Sequence, residues 1–159
     1  MTVYSATPIL VKRIQAEELV ESSQFEAARS HSGDVRTSIY RRKRRLDSTE
    51  VGQLIVEFAS DKLAEDIVML DLRRVASFAD YFVIMSADSS RQIEALEEDL
   101  TKALKESNVP RHRREGTAAS GWVLVDFSDV IVHIFSPEER EFYDLERLWS
   151  GASQVVRVL

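Results

Sequence analysis

The stretch GWVLVDFSDVIVHIF, from Gly121 to Phe135, decides how the rest of the chain is read. Two runs rich in β-branched and aromatic residues flank Phe127-Ser128-Asp129, the pattern of a β-hairpin. Side chains alternate along a strand, so Trp122, Leu124 and Asp126 share one face and Val123, Val125 and Phe127 the other. The second set is wholly apolar and belongs against a layer of helices. The first begins with an indole and ends in a carboxylate, so it is expected to face outward. The face taken by His133 depends on a register that the sequence alone leaves open. Each unusual residue has an ordinary reading beside a functional one. Asp126 is a turn carboxylate accepting backbone N–H groups near Ser128, or part of a surface. His133 is a half-buried, hydrogen-bonded ring. Trp122 is either a lid on the core or an anchor at an interface.

Working outward, the hairpin is preceded by a polar segment, Arg111 to Ser120, that reads as a loop and carries the basic cluster RHRR. Before it, Ile93, Leu96, Leu100, Ala103 and Leu104 form the apolar stripe of a helix opened by Ser89 and Gln92 and stopped by Asn108-Val109-Pro110. The acids Glu94, Glu97, Glu98 and Asp99 crowd its first half, where the helix dipole favours them. Residues 66–72 and 78–87 are two buried strands. Val51, Leu54, Ile55, Phe58, Ala59 and Leu63 mark a first helix, with Ser48 or Thr49 as its N-cap. After the hairpin, Ser136-Pro137-Glu138-Glu139 starts a helix running to about Trp149. Phe142, Leu145 and Trp149 lie on its core stripe and Tyr143 lies beside it. The last residues, QVVRVL, read as a short edge strand or a frayed end. The order α-β-β-α-β-β-α gives an α/β (α+β) fold: a mixed sheet with helices mainly on one face and the other partly open.

Composition sets outer limits. The chain has 159 residues and no cysteine, which removes disulfides, thiolate metal sites and cysteine nucleophiles and fits a reducing cytosol. No apolar run approaches the length of a membrane span, and the N-terminus lacks the apolar core of a secretory signal. Glu17, Glu18, Glu21 and Glu26 speak against an organelle presequence. The net charge of −6 is divided unevenly: residues 1–48 carry +3 and residues 49–159 carry −9. A body this acidic is repelled by phosphate backbones as a whole, so phosphate contacts must come from local basic patches. Residues 1–48 are expected to form a flexible basic tail with at most one marginal helix ending near Phe25, and residues 49–159 the functional domain. The run Arg41, Arg42, Lys43, Arg44, Arg45 is either a passive part of that tail or an arm that touches RNA.

Catalysis has little support. Asp71, Asp80 and Asp126 near strand ends could hold magnesium for nucleotidyl transfer. However, the phosphate cradle that this chemistry needs is missing from the glycine-poor body, as are the nucleotide-binding and hydrolase motifs. The histidines His31, His112 and His133 have no metal-site spacing. No catalytic residue, cofactor or metal is expected; a magnesium-dependent nucleotidyltransferase-like enzyme is the alternative.

Four ordered blocks, AEDIVMLDLR, ADYFVIMSADSSRQ, GWVLVDFSDVIVHIF and EEREFYDLERLW, resemble the ribosomal silencing factors, the Iojap-like family, from about Val51 to Trp149. The resemblance implies a fold related to the nucleotidyltransferases without their catalytic motif. It also implies binding to the large ribosomal subunit through the universal large-subunit protein fourteen. Steric blocking of subunit joining and repression of translation would follow in the cytoplasm, with a homodimer when free. Trp122, the acidic Glu115 before a glycine, and Tyr143 carry over from the family pattern. The expected protein-contact set is Trp122, Tyr143, Glu115, Asp126, His133 and Arg140. Arg41 to Arg45, with Arg111, Arg113 and Arg114, are expected to make minor rRNA contacts. The chain departs from the family pattern at Ser128, where glycine is usual, and at Ala87-Asp88, where many members read Gly-Thr.

Overall fold

The computed structural model describes residues 45–159. The expected tail helix before Phe25 and the basic residues Arg41, Arg42, Lys43 and Arg44 lie outside them. Helix α1 (Ser48–Asp61) is capped by Asp47 rather than by the expected Ser48 or Thr49. The Asp47 carboxylate accepts from Glu50 N at 2.9 Å, and Glu50 accepts from Asp47 N at 3.0 Å. A carboxylate cap also meets the positive end of the helix. The two hydroxyls turn toward the sheet instead. Ser48 Oγ donates to Asp80 Oδ2 at 2.7 Å, and Thr49 Oγ1 lies 2.9 Å from the Tyr81 hydroxyl.

Strands β1 (Glu65–Asp71) and β2 (Tyr81–Ser86) pair antiparallel. Helix α2 (Ser90–Glu106) is capped by Ser89 and buries Ile93, Leu96, Leu100 and Leu104, as its periodicity predicts. Then follow β3 (Arg113–Thr117), a 3-10 turn (Ala118–Ser120), β4 (Trp122–Asp126) and β5 (Val130–Phe135). Helices α3 (Pro137–Tyr143) and α4 (Leu145–Leu148) and strand β6 (Ser153–Val158) complete the fold. One sheet has the order β3-β4-β5-β2-β1-β6. The β2–β5 pair is parallel and the other pairs are antiparallel, so the sheet is mixed.

The expected alternation in the hairpin holds. Val123, Val125, Val132 and Ile134 join Val83, Met85, Ile67 and Met69 under α1 and α2, in one buried apolar cluster. Three features differ from expectation. The segment read as a polar loop contains β3, an edge strand whose RREGT sequence has no apolar alternation because neither of its faces is deeply buried. The last helix breaks at Asp144, which takes a left-handed φ of 42° and caps α4 with its own side chain. A short polar side chain tolerates that conformation better than most. The break turns the expected core stripe: Leu145 stays inside, but Phe142 is 77% exposed. Finally, the second face of the sheet is not open, because α3, α4 and aromatic side chains cover it.

The hairpin turn explains the departure at Ser128. Its φ is +73°, and its N–H donates to Asp126 Oδ1 at 2.7 Å. Asp126 is therefore a turn carboxylate, one of its two sequence readings. A non-glycine residue held left-handed costs about 1 kcal/mol, part of which glycine gives back as unfolded-chain entropy. Ser128 is exposed and loses no packing on substitution. Ser128→Gly is expected to stabilise the fold by about 0.5 kcal/mol in urea denaturation; a destabilised variant would contradict this account of the turn.

Candidate functional site

Opposed residues of neighbouring strands share a face, so the register defines what lies on the second side of the sheet. Trp122 faces Phe135, Leu124 faces His133, and Glu115 faces Leu124. Trp122, Glu115, Asp126 and His133 thus occupy one face, as does Phe82 across the parallel pair. On this face the aromatic rings form a continuous layer. Trp122 stacks on Phe135 with centroids 4.7 Å apart and meets Tyr143 at 4.8 Å. Phe82 meets His133 edge-on at 4.7 Å and Trp149 at 5.5 Å, and Trp149 meets Phe78 at 5.8 Å. Each such pair adds about 0.5–1.5 kcal/mol beyond its buried area.

The polar atoms within this layer serve one another. Trp122 Nε1–H donates to His133 Nδ1 at 3.2 Å. His133 is wholly buried and Trp122 is 5% exposed, so both are internal, not outward-facing groups. Burial holds the imidazole pKa down to about 3, so the ring is neutral near pH 7. With Nδ1 accepting, the proton sits on Nε2, a buried atom with no hydrogen-bond partner among the described residues.

Arg140 is also internal. It was expected at the partner surface, but its guanidinium is spent inside the chain. Nη2 and Nε donate to Glu146 Oε1 at 2.6 and 3.1 Å, and Nη1 donates to Ser86 Oγ at 3.0 Å and to the Asp66 carbonyl at 2.5 Å. The Asp66 carboxylate adds a contact to Nη2 at 3.3 Å and one to Arg157 at 2.7 Å. Asp66 presents its carbonyl because the chain turns left-handed there, at φ 43°, where the β1 register shifts. Arg140 therefore clasps α3 to β1, β2 and α4. Of the expected contact set, Trp122, Asp126, His133 and Arg140 are thus all buried within the described chain, and only Tyr143 and Glu115 are partly exposed.

The expected basic cluster is matched by acids. Arg114 points to the helix side, where its Nε donates to Glu97 Oε2 at 3.1 Å, and Arg111 Nη1 donates to Glu97 Oε1 at 2.6 Å. Glu97 is buried, at 4% exposure, and is not a solvated dipole partner. Its place on the α2 apolar stripe, four residues from Ile93, was the available signal. On the other face Arg113 Nε lies 3.2 Å from Glu115 Oε1, and Arg113 Nη2 lies 3.9 Å from Asp126 Oδ2. Arg45 is exposed at the edge of the described chain. The three carboxylates considered for magnesium are each held by their own surroundings: Asp71 by Arg73, Asp80 by Ser48, and Asp126 by the Ser128 N–H. Among the described residues no group of three acids or histidines is placed to hold a metal ion.

What reaches the surface is the outer edge of the aromatic layer. Tyr143 is half-buried against Trp122, and the exposed ring of Phe142 stands perpendicular to it at 4.9 Å. Leu148 on α4 is also exposed, at 52%. Glu138, Glu141 and Asp144 are exposed on the same two helices. Sequence periodicity placed Phe142 in the core, and only the break at Asp144 brings it out.

The buried imidazole makes stability depend on pH. The unfolded ring titrates near 6.5 and the folded one near 3. Between these values the unfolded chain binds the extra proton, so stability falls as pH drops from 6.5 toward 3, by about 1.4 kcal/mol per pH unit. His133→Gln, which retains an acceptor for the indole, is expected to remove that slope between pH 6 and pH 4 while the carboxylate contributions stay common to both proteins. Equal slopes in parallel urea titrations would show that His133 does not exclude its proton.

Comparisons with known proteins identify this arrangement. The family model described as ribosomal silencing factor during starvation, RsfS, matches residues 45–158. A protein of Halalkalibacterium halodurans named ribosomal silencing factor RsfS is 37% identical over 110 residues, covering 69% of this chain and 94% of its own. The protein of that name from Bacillus subtilis is 40% identical over 107 residues, covering 67% and 91%. A mouse protein named mitochondrial assembly of ribosomal large subunit protein 1 is 35% identical over 100 residues, covering 61% of this chain and 44% of its own. Among solved structures, a Chromobacterium violaceum protein superimposes with a TM-score of 0.64 at 33% identity, covering 72% of this chain and 94% of its own. With the family match spanning the described domain and the fold shared with a solved relative, the chain belongs to the RsfS family of ribosomal silencing factors, and it is also similar to a Zea mays protein named Iojap.

Proposed function

We propose that this chain represses translation in the cytoplasm by docking on the universal large-subunit protein fourteen and standing where the small subunit must approach. The observation that carries this reading is the exposed edge of the aromatic layer, Phe142 and Tyr143 on α3, fringed by Glu138, Glu141 and Asp144, with Leu148 also exposed on α4. A large exposed aromatic ring beside a half-buried tyrosine is the profile of a hot spot, and single exposed apolar groups rarely cluster without a partner. The acids around it favour a cationic protein and steer it into place. Glu115, half-buried on the same face beside Arg113, extends this fringe, whereas Asp126 is a buried turn carboxylate and does not. Trp122, His133 and Arg140 act from beneath: they fix where Tyr143 and α3 sit.

A standard interface covers roughly 800 Å² on each partner, so occupation alone obstructs a second subunit and no chemistry is required. Arg111, Arg113 and Arg114 have their charge matched by Glu97, Glu115 and Asp126, which leaves the run from Arg41 to Arg45 as the proposed source of minor rRNA contacts. When the ribosome is absent, the same apolar edge favours pairing with a second copy as a homodimer.

Phe142→Ala removes exposed surface only, so stability is expected to change by no more than about 0.5 kcal/mol. Binding to purified large subunits, read by co-pelleting over a concentration series, is expected to weaken by about 30-fold, the equivalent of a 2 kcal/mol hot spot. Undiminished pelleting of a folded Phe142→Ala variant would remove this edge from the interface.

A further inference from the structure

A polar groove lies beside the turn that follows α4. It has a volume of about 420 Å³ and opens between the β1–β2 connection and the turn that leads into β6, lined by Asp71, Arg73, Arg74, Gly151 and Ser153. No aromatic or branched aliphatic side chain lines it, and its surface is mainly polar. Its one acid is already answered. Asp71 Oδ1 accepts from Arg73 N and Nε, both at 3.0 Å, and Oδ2 accepts from Arg73 Nη2 at 2.6 Å. That pairing holds the Asp71 carboxyl below the usual carboxylate range. Arg73 is fixed further by lying over the Tyr81 ring, 5.1 Å from its centroid. Its Nη1 takes no part in the bonds to Asp71.

Arg74 is different. It is exposed, and it makes no hydrogen bond or ion pair with any described residue. The Ser153 hydroxyl is likewise exposed and uncommitted among the described residues. The groups left over in this groove are therefore all donors: the whole fork of Arg74, Nη1 of Arg73 and one hydroxyl. They carry net positive charge on a body whose residues 49–159 sum to −9.

We propose that this groove binds a phosphate group, with Arg74 gripping two of its oxygens and Arg73 Nη1 and Ser153 Oγ completing the contact. An uncommitted guanidinium matches phosphate oxygens in pairs. A terminal phosphate carries about −1.5 to −2 at pH 7, which suits two arginines with one already half-neutralised. A lone carboxylate would be satisfied by Arg74 alone and would leave the rest of the groove unused. The volume lies within the range of small-ligand sites, roughly 300–1,000 Å³. The polar lining means that only the charged end is recognised and the remainder of the ligand extends into solvent. The phosphate belongs either to a free nucleotide-like molecule or to an RNA chain, since the same donors serve both.

The test titrates the full chain, at low ionic strength, with pyrophosphate and separately with a ten-residue oligouridylate lacking terminal phosphates. Saturable pyrophosphate binding in the millimolar range or tighter is expected. Arg74→Glu should weaken it at least about tenfold, Arg74→Lys less, and Arg91→Glu on α2 not at all. If only pyrophosphate binding depends on Arg74, the site takes terminal phosphates; if the oligouridylate competes and shares the dependence, it takes RNA phosphodiesters. Absence of saturable binding by both probes, or binding unchanged in Arg74→Glu, would overturn the site. Large-subunit pelleting of Phe142→Ala reads the proposed docking edge, whereas these titrations read Arg74, so the two readings fail or succeed on different variants.

Discussion

The hydrogen bond from the Trp122 indole to His133 Nδ1, 3.2 Å long and wholly buried, is the contact on which the second face of the sheet depends. An indole N–H without an acceptor would cost about 1–3 kcal/mol in such a place, and few neutral side chains supply a flat acceptor that also stacks. A neutral imidazole does both. It fixes the indole plane, the indole supports Phe135 and Tyr143, and the outer ring of Phe142 stands on Tyr143. The two groups that look out of place in an apolar hairpin are thus each other's reason for being there. Their role at the surface is indirect: they set the angle at which α3 leaves the sheet.

The buried charges follow the same logic. Glu97 receives two arginines from the β3 side, and Arg140 spans from α3 to a carbonyl 74 residues away and a hydroxyl 54 residues away. Burying either charge alone would be strongly unfavourable, whereas a fully hydrogen-bonded cluster is tolerated and specifies which elements meet. Arg140 in particular ties the short α3 and α4 to β1 and β2, two interior strands of the sheet. Two helices of seven and four residues have little cohesion of their own. The clasp and the aromatic layer together give the exposed edge a rigid support, which preserves affinity when a partner docks.

Much of this was legible in the residues, and the exceptions have physical causes. The helix stripes from Val51 and Ile93, the two apolar strands and the hairpin follow directly from periods of 3.6 and 2. The face shared by Trp122, Leu124 and Asp126 follows from alternation alone. What alternation does not reveal is what covers a face. The aromatic layer draws rings from Phe78, Phe82 and Trp149, which are distant in sequence, so the second face looked open when it is sealed. β3 was hidden because an edge strand with polar residues on both sides has no period to detect. Phe142 was misplaced because one left-handed residue, Asp144, rotates the stripe that the uninterrupted helix would have shown. Arg140 was drawn to the surface by its chemistry because its partners on β1 and β2 lie 74 and 54 residues away, whereas the place of His133 beside Trp122 needed the hairpin register, which the sequence left open.

The division of labour is therefore vertical. The interior layer holds the two short helices in place, while the proposed contact with the ribosome belongs to the thin edge that the layer lifts into solvent. The most direct measurement of the proposed obstruction is sedimentation of purified large and small subunits, mixed under joining conditions with and without an excess of this protein. The predicted result is that subunits remain separate and the protein travels with the large one. Complete joining at saturating protein, with nothing bound to the large subunit, would contradict it.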